Sequence, residues 1–484
     1  MNIKNLLFYT VFALTFGLMT FVGCSREPIP AVDGETEAVS ESPLSRLTDE
    51  EFFALADYLS PTRVNVQEAM ATAEEAISLL EKAELATKSV IRRPVSAKPF
   101  LGSISGGKTK SGDAKDTLAY IVSFGEGKGY AVISADHRTK SILAIIPEGD
   151  YEPDNIAPGA AAVLANIGAY LEGQIEAREE ENSKHLPNAL KILGEYLADT
   201  EVGTRITKGD GFDLSEFMQP TVSYTEVSRQ ETQISPLITT KWGQRGPYNT
   251  QCPIVQEPEY DDDGVLVGYN DVHALTGCVA TATAQIMAYW EYPSGYDWSA
   301  MKANPYGRNV TTAAQYDIAR LMRHIGDGVN MSYGWDGSRA FSRDVPSYLS
   351  SVGYLNYGDV FTINNASSSP YSGTILSDLQ IDRPVIMAAG DTNSNERHSF
   401  IVDGIQRLKI NYIRTVTFYT LISVNPPLKE VSYIEERPFF EITDTYHCNF
   451  GWGGSSDGWY QAGMLEVGIY NFEENCYIVH NIEP

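Results

Sequence analysis

The spacing of hydrophobic residues in the first half of the chain predicts helices on either side of a small antiparallel sheet. Apolar residues three and four positions apart between Val66 and Lys88 indicate an amphipathic helix. Two β-rich runs, 118–124 and 130–134, flank a glycine-rich loop of five residues, which is typical of a hairpin. The apolar run 142–146 predicts a further strand, and residues 159–199 return to a helical pattern. This half is therefore expected to be a compact α+β unit.

Between about Thr200 and Ser235 the periodicity gives way to glycine, threonine, serine and charged residues, among them Arg205, Lys208 and Arg229. Such a stretch predicts an exposed boundary that is suited to a proteolytic cut. After it the composition changes to a segment rich in tryptophan, tyrosine and glycine. The sequence thus predicts an N-terminal domain, a processing linker and a C-terminal domain, over residues 48–200, 201–235 and 236–484.

The first residues have the pattern of an export signal. Lys4 precedes an uncharged apolar run of roughly 18 residues, which is near the lower limit for a membrane span. A small residue before Cys24 and polar residues after it resemble a bacterial lipoprotein signal, so we expect removal of residues 1–23, a lipid on Cys24 and a flexible tether over 24–47. The alternatives are an ordinary signal peptide and an uncleaved anchor. In each case the rest of the chain is expected to leave the cytoplasm; as a lipoprotein it is expected in the outer membrane or at the cell surface, with the processed catalytic domain in the periplasm or outside the cell.

Composition excludes several classes of function. The chain has 63 acidic and 36 basic residues and a formal charge of -27, which would repel a phosphate backbone, so nucleic acid is not expected as a partner. A hydrophobic fraction of 43% excludes disorder over most of the chain. Five cysteines are too few for a disulfide scaffold of this length. Neither a CxxC nor an HExxH motif occurs, so no metal site and no cofactor is predicted.

Cys278 is the first candidate for chemistry. It follows Thr276 and Gly277, which favour a helix cap and a turn, and it begins a run in which alanine recurs every four residues. A thiol at the start of a helix experiences the positive end of the helix dipole, and this favours the thiolate nucleophile. Taken alone, the position of Cys278 favours an inert buried thiol over a nucleophile, so the catalytic interpretation depends on a second residue.

His398 is that second residue. A buried strand over 383–390 is followed by a polar loop and then by His398, which begins another strand, with Phe400 and Val402 on the same face. A cysteine and a histidine that are far apart in sequence but meet in space are the expected arrangement of a thiol hydrolase. The alternative is a histidine at a strand end that is bonded to a neighbour.

Two further segments supply candidate supporting groups. Asn449 lies at the end of a strand before a glycine-rich turn and is placed to accept the imidazole N–H, while Trp452 in that turn is placed to shield this bond from water. A hairpin with aromatic core residues would explain the same pattern. Gln244 lies upstream of the nucleophile, where its side-chain N–H is suited to an oxyanion beside the backbone N–H of Cys278; a surface polar residue is the alternative.

The remaining histidines and cysteines are weaker candidates. His447 would share a strand face with Asn449, and His273 lies in a loop before Cys278. For Cys252 a structural or disulfide role is favoured over a catalytic one. A pairing of Cys448 with Cys476 is not determined by the sequence.

The four segments together resemble the streptopain family of secreted bacterial cysteine proteases, which has a papain-like α+β fold. The resemblance covers about residues 236–484 and rests on motifs in the family's order: WGQRGPYN, HALTGCVATATAQIMAYWEYP, RHSFIVDGI and HCNFGWGGSSDGWY. It implies Cys278 as nucleophile, His398 as general base and acid, Gln244 as oxyanion donor and Asn449 as the orienting residue. The stretch from Val329 resembles the substrate cleft and implies substrate contacts by Met331, Tyr333 and Gly334.

The first half resembles the Spi-type inhibitory propeptide of that family through DTLAYIVSFGEGKGYAVISADHRTKSILAIIPEGDYE. This resemblance implies a zymogen whose own prodomain is an intramolecular inhibitory partner. Three departures stand out. Arg397 occupies a position where the family has small residues lining the substrate pocket, so it is a candidate substrate contact; Phe450 replaces a frequent tryptophan; and residues 406–443 form a long connection that predicts an extended hairpin.

The predicted function is that of a cysteine endopeptidase acting on protein or peptide substrates through an acyl-enzyme, tethered to a membrane by its lipid. Two other classes share the motifs. One is a non-catalytic surface lipoprotein on a protease scaffold, which should have lost Cys278, His398 or Gln244. The other is a papain-like cell-wall amidase, for which an acidic, aromatic-lined cleft would accept glycan-linked peptide.

Overall fold

The computed structural model describes residues 43–84, 92–102, 116–199, 219–362, 370–390, 397–424, 426–465 and 477–484. The helices are α1 Asp49–Leu59, α2 Val66–Glu84, α3 Pro158–Ala165, α4 Ile167–Asp199, α5 Cys278–Trp290, α6 Trp298–Met301, α7 Thr312–Gly328, α8 Val345–Ser351 and α9 Pro370–Leu379. The strands are β1 Ser96–Gly102, β2 Asp116–Ser123, β3 Tyr130–Ser134, β4 Ile142–Ile146, β5 Thr221–Ile234, β6 Ile254–Tyr260, β7 Leu266–His273, β8 Asn356–Thr362, β9 Val385–Gly390, β10 Arg397–Val424, β11 Pro427–Asn449, β12 Gly458–Gln461 and β13 Tyr477–Glu483. The predicted α+β class is confirmed. None of the helices in these ranges has the length and apolar character needed to cross a bilayer.

The N-terminal domain has the elements that its hydrophobic pattern predicts. The predicted helix appears as α2, the hairpin as β2 and β3, and the additional strand as β4. The helical stretch at 159–199 is divided at Asn166, whose side chain donates to the carbonyl of Ala162 at 2.8 Å and ends α3. The tether predicted over 24–47 ends earlier than expected, because Leu44 is fully buried and packs with α1. Residues 1–42, including Cys24, lie outside the described part.

One antiparallel sheet of the described residues joins the two domains. Its strand order is β1-β2-β3-β4-β12-β11-β10-β9-β13-β8, and β5 pairs separately with β10. The junction is the pairing of β4 with β12, where Ile145 lies opposite Trp459 and Ala144 opposite Tyr460. Residues of both domains, such as Val132 and Phe400, belong to one hydrophobic core. The N-terminal domain is therefore built into the same sheet as the C-terminal one.

The extended hairpin expected from residues 406–443 is present and is longer than that stretch. Strands β10 and β11 pair from Ile401 opposite Asn449 to Val424 opposite Pro427. Strand β5 pairs with the other edge of β10, from Ile405 opposite Ile234 to Thr417 opposite Thr221. The predicted linker 201–235 therefore differs from the structure, because 221–234 is a paired strand. Its alternating, mostly polar residues lack the apolar run by which a strand is recognised.

Candidate active site

A cavity of about 1190 Å³ lies where the start of α5, the start of β10 and the segment before α8 meet. Four of the five residues predicted for catalysis line it: Gln244, Cys278, His398 and Trp452. Clefts of this size hold drug-sized ligands or short peptides. The structure thus places a thiol, an imidazole, a carboxamide and an indole around one space.

Cys278 begins α5 because the chain turns sharply at the residue before it. Gly277 has a φ of 86°, and a Cβ atom there would lie 2.7 Å from the side chain of Met331, so only glycine fits. Thr276, the expected cap, instead shares a hydrogen bond of 2.8 Å with the hydroxyl of Thr281. No side chain caps this end of α5. The positive end of the helix dipole therefore acts on the Cys278 sulfur.

The Cys278 thiol ionises more readily than an ordinary cysteine. Burial by itself would raise the pKa of Cys278, because it penalises the thiolate. Hydrogen bonding to His398 and the charge of its ring oppose burial, Ser399 acts in the same direction, and together they lower the pKa of Cys278 below its usual value. The sulfur is thus held as the reactive form beside a proton donor.

Two serines complete the surroundings of the sulfur and were not predicted. Ser399 follows His398 on β10 and is buried, and its hydroxyl lies 2.7 Å from that of Ser342, which is also buried. Both residues line the cavity. The sequence offered no signal for this pair, because a serine next to a strand histidine is common and its partner lies 57 residues away.

Replacing Ser399 with alanine is expected to lower peptide hydrolysis about tenfold near neutral pH, because the thiolate loses one hydrogen bond to a charged group. The hydroxyl lowers the pKa of Cys278, so its loss moves the acidic limb of the profile to higher pH. Alkylation rates with iodoacetamide, measured against pH, check this. Ser350→Ala, at an exposed position, is the control. An unmoved limb in Ser399→Ala would contradict the assignment.

Gln244 is held beside the nucleophile by its backbone. Its carbonyl accepts the N–H of Thr276 at 3.2 Å, and its side chain is buried at the cavity wall. Farther along the same segment, the side chain of Asn249 donates to the carbonyls of His273 and Ala274, both at 3.1 Å. The segment is therefore tied to the approach to α5 at two points.

Asn449 does not have the predicted role. Its Oδ1 accepts from Nε2 of Gln285 at 3.0 Å and from the N–H of Gly451 at 3.1 Å, and its Nδ2 donates to the carbonyl of Thr240 at 2.9 Å. The side-chain oxygen of Gln285 in turn accepts the N–H of Trp242 at 2.9 Å. The expectation that Asn449 orients His398 is therefore wrong, since its amide instead ties α5 to the segment that carries Gln244.

Trp452 lies in the glycine-rich turn after β11 and lines the cavity with His398. Gly451 and Gly453 have φ values of 64° and 68°, which allow this tight turn. The carboxyl of Asp457 closes it by accepting the N–H of Phe450 at 2.9 Å, and burial raises the pKa of Asp457 to about 6. The indole is thereby fixed at the cavity wall, and its shielding role stays a prediction.

The predicted substrate contacts are corrected by the structure. Met331 packs against Gly277, and the hydroxyl of Tyr333 lies against Gly326, so both side chains face the protein interior. The carbonyl of Gly334 is bonded to the N–H of Leu275 at 3.1 Å. From this segment the cavity is lined instead by Val329, Asn330 and Ser332. Arg397 begins β10, and its side chain lies outside the described part.

The competing histidines have structural partners. Nδ1 of His447 lies 2.6 Å from Oδ1 of the fully buried Asp403. Burial alone would lower the pKa of His447, but the charge of Asp403 raises it. Nδ1 of His273 lies 2.8 Å from the carbonyl of Cys252. Neither histidine lines the cavity, and the described residues contain no group of three or more side chains placed to bind a metal.

The other described cysteines are unreactive by the same physical argument. Burial raises the pKa of Cys252 to about 12 and that of Cys448 well above its ordinary value. Neither forms a disulfide with another cysteine in the described ranges. Cys476 lies outside the described residues, so its pairing with Cys448 stays untested.

The N-terminal domain reaches the cavity itself. Pro158, the first residue of α3, is part of the lining. A Cβ atom on the next residue, Gly159, would lie 2.5 Å from the ring of Phe450, so α3 lies directly on that ring. Nearby, Lys241 forms an ion pair of 2.7 Å with Glu148 of the N-terminal domain. The domain thus covers part of the site.

Comparisons with known proteins agree with both halves of the chain. Residues 242–295 and 294–460 match the Peptidase C10 family, and residues 61–170 match the Spi protease inhibitor family. Streptopain of Streptococcus pyogenes is 25% identical over 388 residues, which cover 73% of this chain and 76% of streptopain. The thiol protease/hemagglutinin PrtT of Porphyromonas gingivalis is 21% identical over 402 residues, 74% of this chain and 35% of PrtT.

Solved structures similar to this chain come from Prevotella intermedia. A fragment of prointerpain A is 23% identical with a TM-score of 0.46, covering 77% of this chain and 98% of the fragment. Active interpain A is 25% identical with a TM-score of 0.36, covering 52% of this chain and 96% of that protein. With these matches, the chain carries a Peptidase C10 (streptopain family) domain preceded by a Spi inhibitor domain, which indicates a cysteine-type endopeptidase.

Proposed function

We propose that the protein is an exported zymogen in which Cys278 and His398 cleave peptide bonds in protein substrates. The observation that carries this proposal is that Cys278, at the start of α5, and His398 line one cavity together with Gln244, where the His398 ring lowers the pKa of Cys278. A thiolate needs a nearby acid to complete an acyl transfer, and His398 is that acid.

The reaction follows from the positions of these groups. The Cys278 thiolate attacks the substrate carbonyl, and the oxyanion that forms is stabilised by the side-chain N–H of Gln244 and the backbone N–H of Cys278. His398 protonates the leaving amine, and the acyl group remains on sulfur as a thioester. His398 then takes a proton from water, which attacks the thioester and releases the acid. Each oxyanion donor is worth roughly 3–4 kcal/mol in the transition state.

The test separates this function from its alternatives. Processed protein should bind an epoxide-type thiol reagent at Cys278 and should release peptides from denatured casein. Peptide release from peptidoglycan with none from casein would favour an amidase. Reagent binding at another cysteine, or at none, would favour a non-catalytic scaffold.

We further propose that the N-terminal domain inhibits the enzyme until it is removed. Pro158 lies in the cavity, and α3 packs on β9 and β10, the second of which carries His398. A substrate chain could not occupy the space that Pro158 fills. Full-length protein that digests casein before any cleavage would contradict this inhibition.

Maturation is expected to leave β5 on the catalytic domain. This strand pairs with β10 over residues 221–234, whereas a protease needs an exposed, extended chain. Arg229 on β5 is also ion-paired with Glu226 at 2.6 Å and with Glu75. Brief trypsin treatment should therefore cut at Arg205 or Lys208, which lie outside the described residues, before Arg229. N-terminal sequencing identifies the cut, and a mature chain starting after Thr221 would refute this prediction.

We propose that the protein is anchored to the outer membrane or cell surface by a lipid on Cys24. The support is the sequence pattern of the first residues. Labelling of growing cells with a radioactive fatty acid should mark the wild type and not Cys24→Ala. Equal labelling of both would contradict the anchor.

A further inference from the structure

A three-stranded arm extends from the catalytic domain away from the cavity. The arm consists of β5, residues 406–424 of β10 and residues 427–445 of β11, and it is paired along its length. Among the described residues, the lining of the cavity includes none from the arm and none from α1 or α4. The arm is therefore separate from the active-site contact that Pro158 makes.

One face of the arm is covered by helices of the N-terminal domain. Val416 and Phe418 of β10 are buried in a core that is otherwise formed by that domain. The members from the N-terminal domain are Leu44, Leu47, Phe52, Leu55, Ala56, Ala189, Ile192, Leu193 and Tyr196. The ring of Tyr196 packs edge-on against that of Phe418, with centroids 5.3 Å apart. This contact buries apolar surface of both partners, which is the main source of association energy.

A buried ion pair crosses the same contact. Arg414 of the arm is only 4% exposed, and its guanidinium lies 2.8 Å from Oδ1 of Asp57 on α1. Arg178 of α4 binds the same carboxylate at 2.6 Å. Burial alone would raise the pKa of Asp57, but the two arginines lower it. A buried charge without its partner is strongly unfavourable, so this pair fixes how α1 sits on the arm.

The enzyme's own rings hold Arg414 in place. Its guanidinium carbon lies 4.8 Å from the ring centre of Tyr224 on β5 and 5.1 Å from that of Phe439 on β11. The ring of Phe53 on α1 lies 5.4 Å away on the N-terminal domain's side. Cation–π contacts of this kind keep the arginine extended toward the helix. The arm is therefore shaped for an aromatic residue and a carboxylate one helical turn apart.

We propose that the arm is a second binding site for the prodomain, which keeps the prodomain on the enzyme after the linker has been cut. This inference rests on the proposed zymogen, and it assigns the arm a partner: the amphipathic helices α1 and α4, with the carboxylate of Asp57, whose side chain is 11% exposed. Cutting the linker removes the covalent connection, but it changes none of the contacts described above. Release of the prodomain then requires breaking the arm contact as well as the contact at the cavity.

The test uses the full chain with Cys278→Ala, so that it does not depend on catalysis, and with a recognition site for another protease placed in the linker. After the cut, the two parts should elute together in gel filtration at micromolar concentration. Phe418→Ala on the arm and Leu55→Ala on α1 should each raise the dissociation constant roughly 100-fold, since both truncate buried residues. Tyr58→Ala on α1 and Ile434→Ala on the arm, which are 62% and 50% exposed, are the matched controls and should leave it unchanged.

Circular dichroism of each uncut variant checks that it is folded, and the variant on α1 leaves the arm itself intact. Dissociation of the cut wild type at micromolar concentration would overturn the proposal. So would dissociation constants of Phe418→Ala and Leu55→Ala equal to those of the controls, because the contacts at the cavity and at β12 would then suffice. Loss of casein digestion in the active enzyme would bear on the proposed function alone, because association is measured without the nucleophile.

Discussion

An enzyme with alanine in place of Cys278 is expected to lose peptide hydrolysis by roughly 10⁵-fold, because the thiol that forms the acyl intermediate is removed. The pKa of Cys278 is lowered by His398 and Ser399, whereas burial raises that of Cys252 to about 12. Only the first thiol is a useful nucleophile near neutral pH. The measurement is the digestion of casein by the purified proteins and the conversion of the full-length chain to a smaller form.

Cys252→Ala is the matched control, because it removes a buried thiol from the same domain without touching the cavity. It is expected to retain both activities, with at most a loss of stability. Digestion of casein by Cys278→Ala at a rate near that of the wild type would refute the assignment of the nucleophile. Loss of activity in Cys252→Ala, with the fold intact, would indicate that Cys252 takes part in catalysis.

His398→Ala is expected to lower peptide hydrolysis by roughly 10³- to 10⁴-fold, since the same ring stabilises the thiolate and protonates the leaving amine. The pKa of Cys278 rises when the charge and hydrogen bond of His398 are lost. The thiolate then disappears as the pH falls through a higher value than in the wild type. Two readouts follow: peptide hydrolysis, and the rate of alkylation of Cys278 by iodoacetamide as a function of pH.

His273→Ala serves as the control for this experiment. Nδ1 of its ring lies 2.8 Å from the backbone carbonyl of Cys252, just before β6, and His273 does not line the cavity, so both readouts should match the wild type. If His398→Ala were alkylated with the pH profile of the wild type, the imidazole would not be the group that stabilises the thiolate. Activity would then have to depend on another base.

Local sequence was sufficient to place Cys278 at the start of a helix and His398 close to the start of a strand. Gly277 and the alanine repeat after Cys278 specify a helix that begins there, and a strand beginning at His398 follows from its apolar alternation. The prediction for Asn449 was wrong because its side-chain oxygen accepts a hydrogen bond from Gln285 on α5. No local sequence pattern reveals that contact. The same holds for Ser399, whose partner lies on another segment.

Two other errors have a geometric origin. In the segment after Val329, the motif alone did not reveal that Met331 and Tyr333 pack inward while Asn330 and Ser332 line the cavity. Strand β5 is polar and was assigned to a linker, because its stability comes from pairing with β10 and not from an apolar face of its own. Pairing between strands that are far apart in the chain is difficult to predict from a single sequence.

The junction between β4 and β12 determines which strand edge is exposed in the mature enzyme. Strand β12 is only four residues long, and β4 now occupies its outer side. If the prodomain dissociated, β12 would lose its pairing with β4, and the indole of Trp459, which is 1% exposed in this structure, would become exposed to solvent. An unpaired edge strand presents free N–H and C=O groups that can pair with another polypeptide chain. The mature protease would thus have an exposed strand edge, β12, near its active site, at which another chain could pair. Because β12 is short, self-association through this edge would be limited.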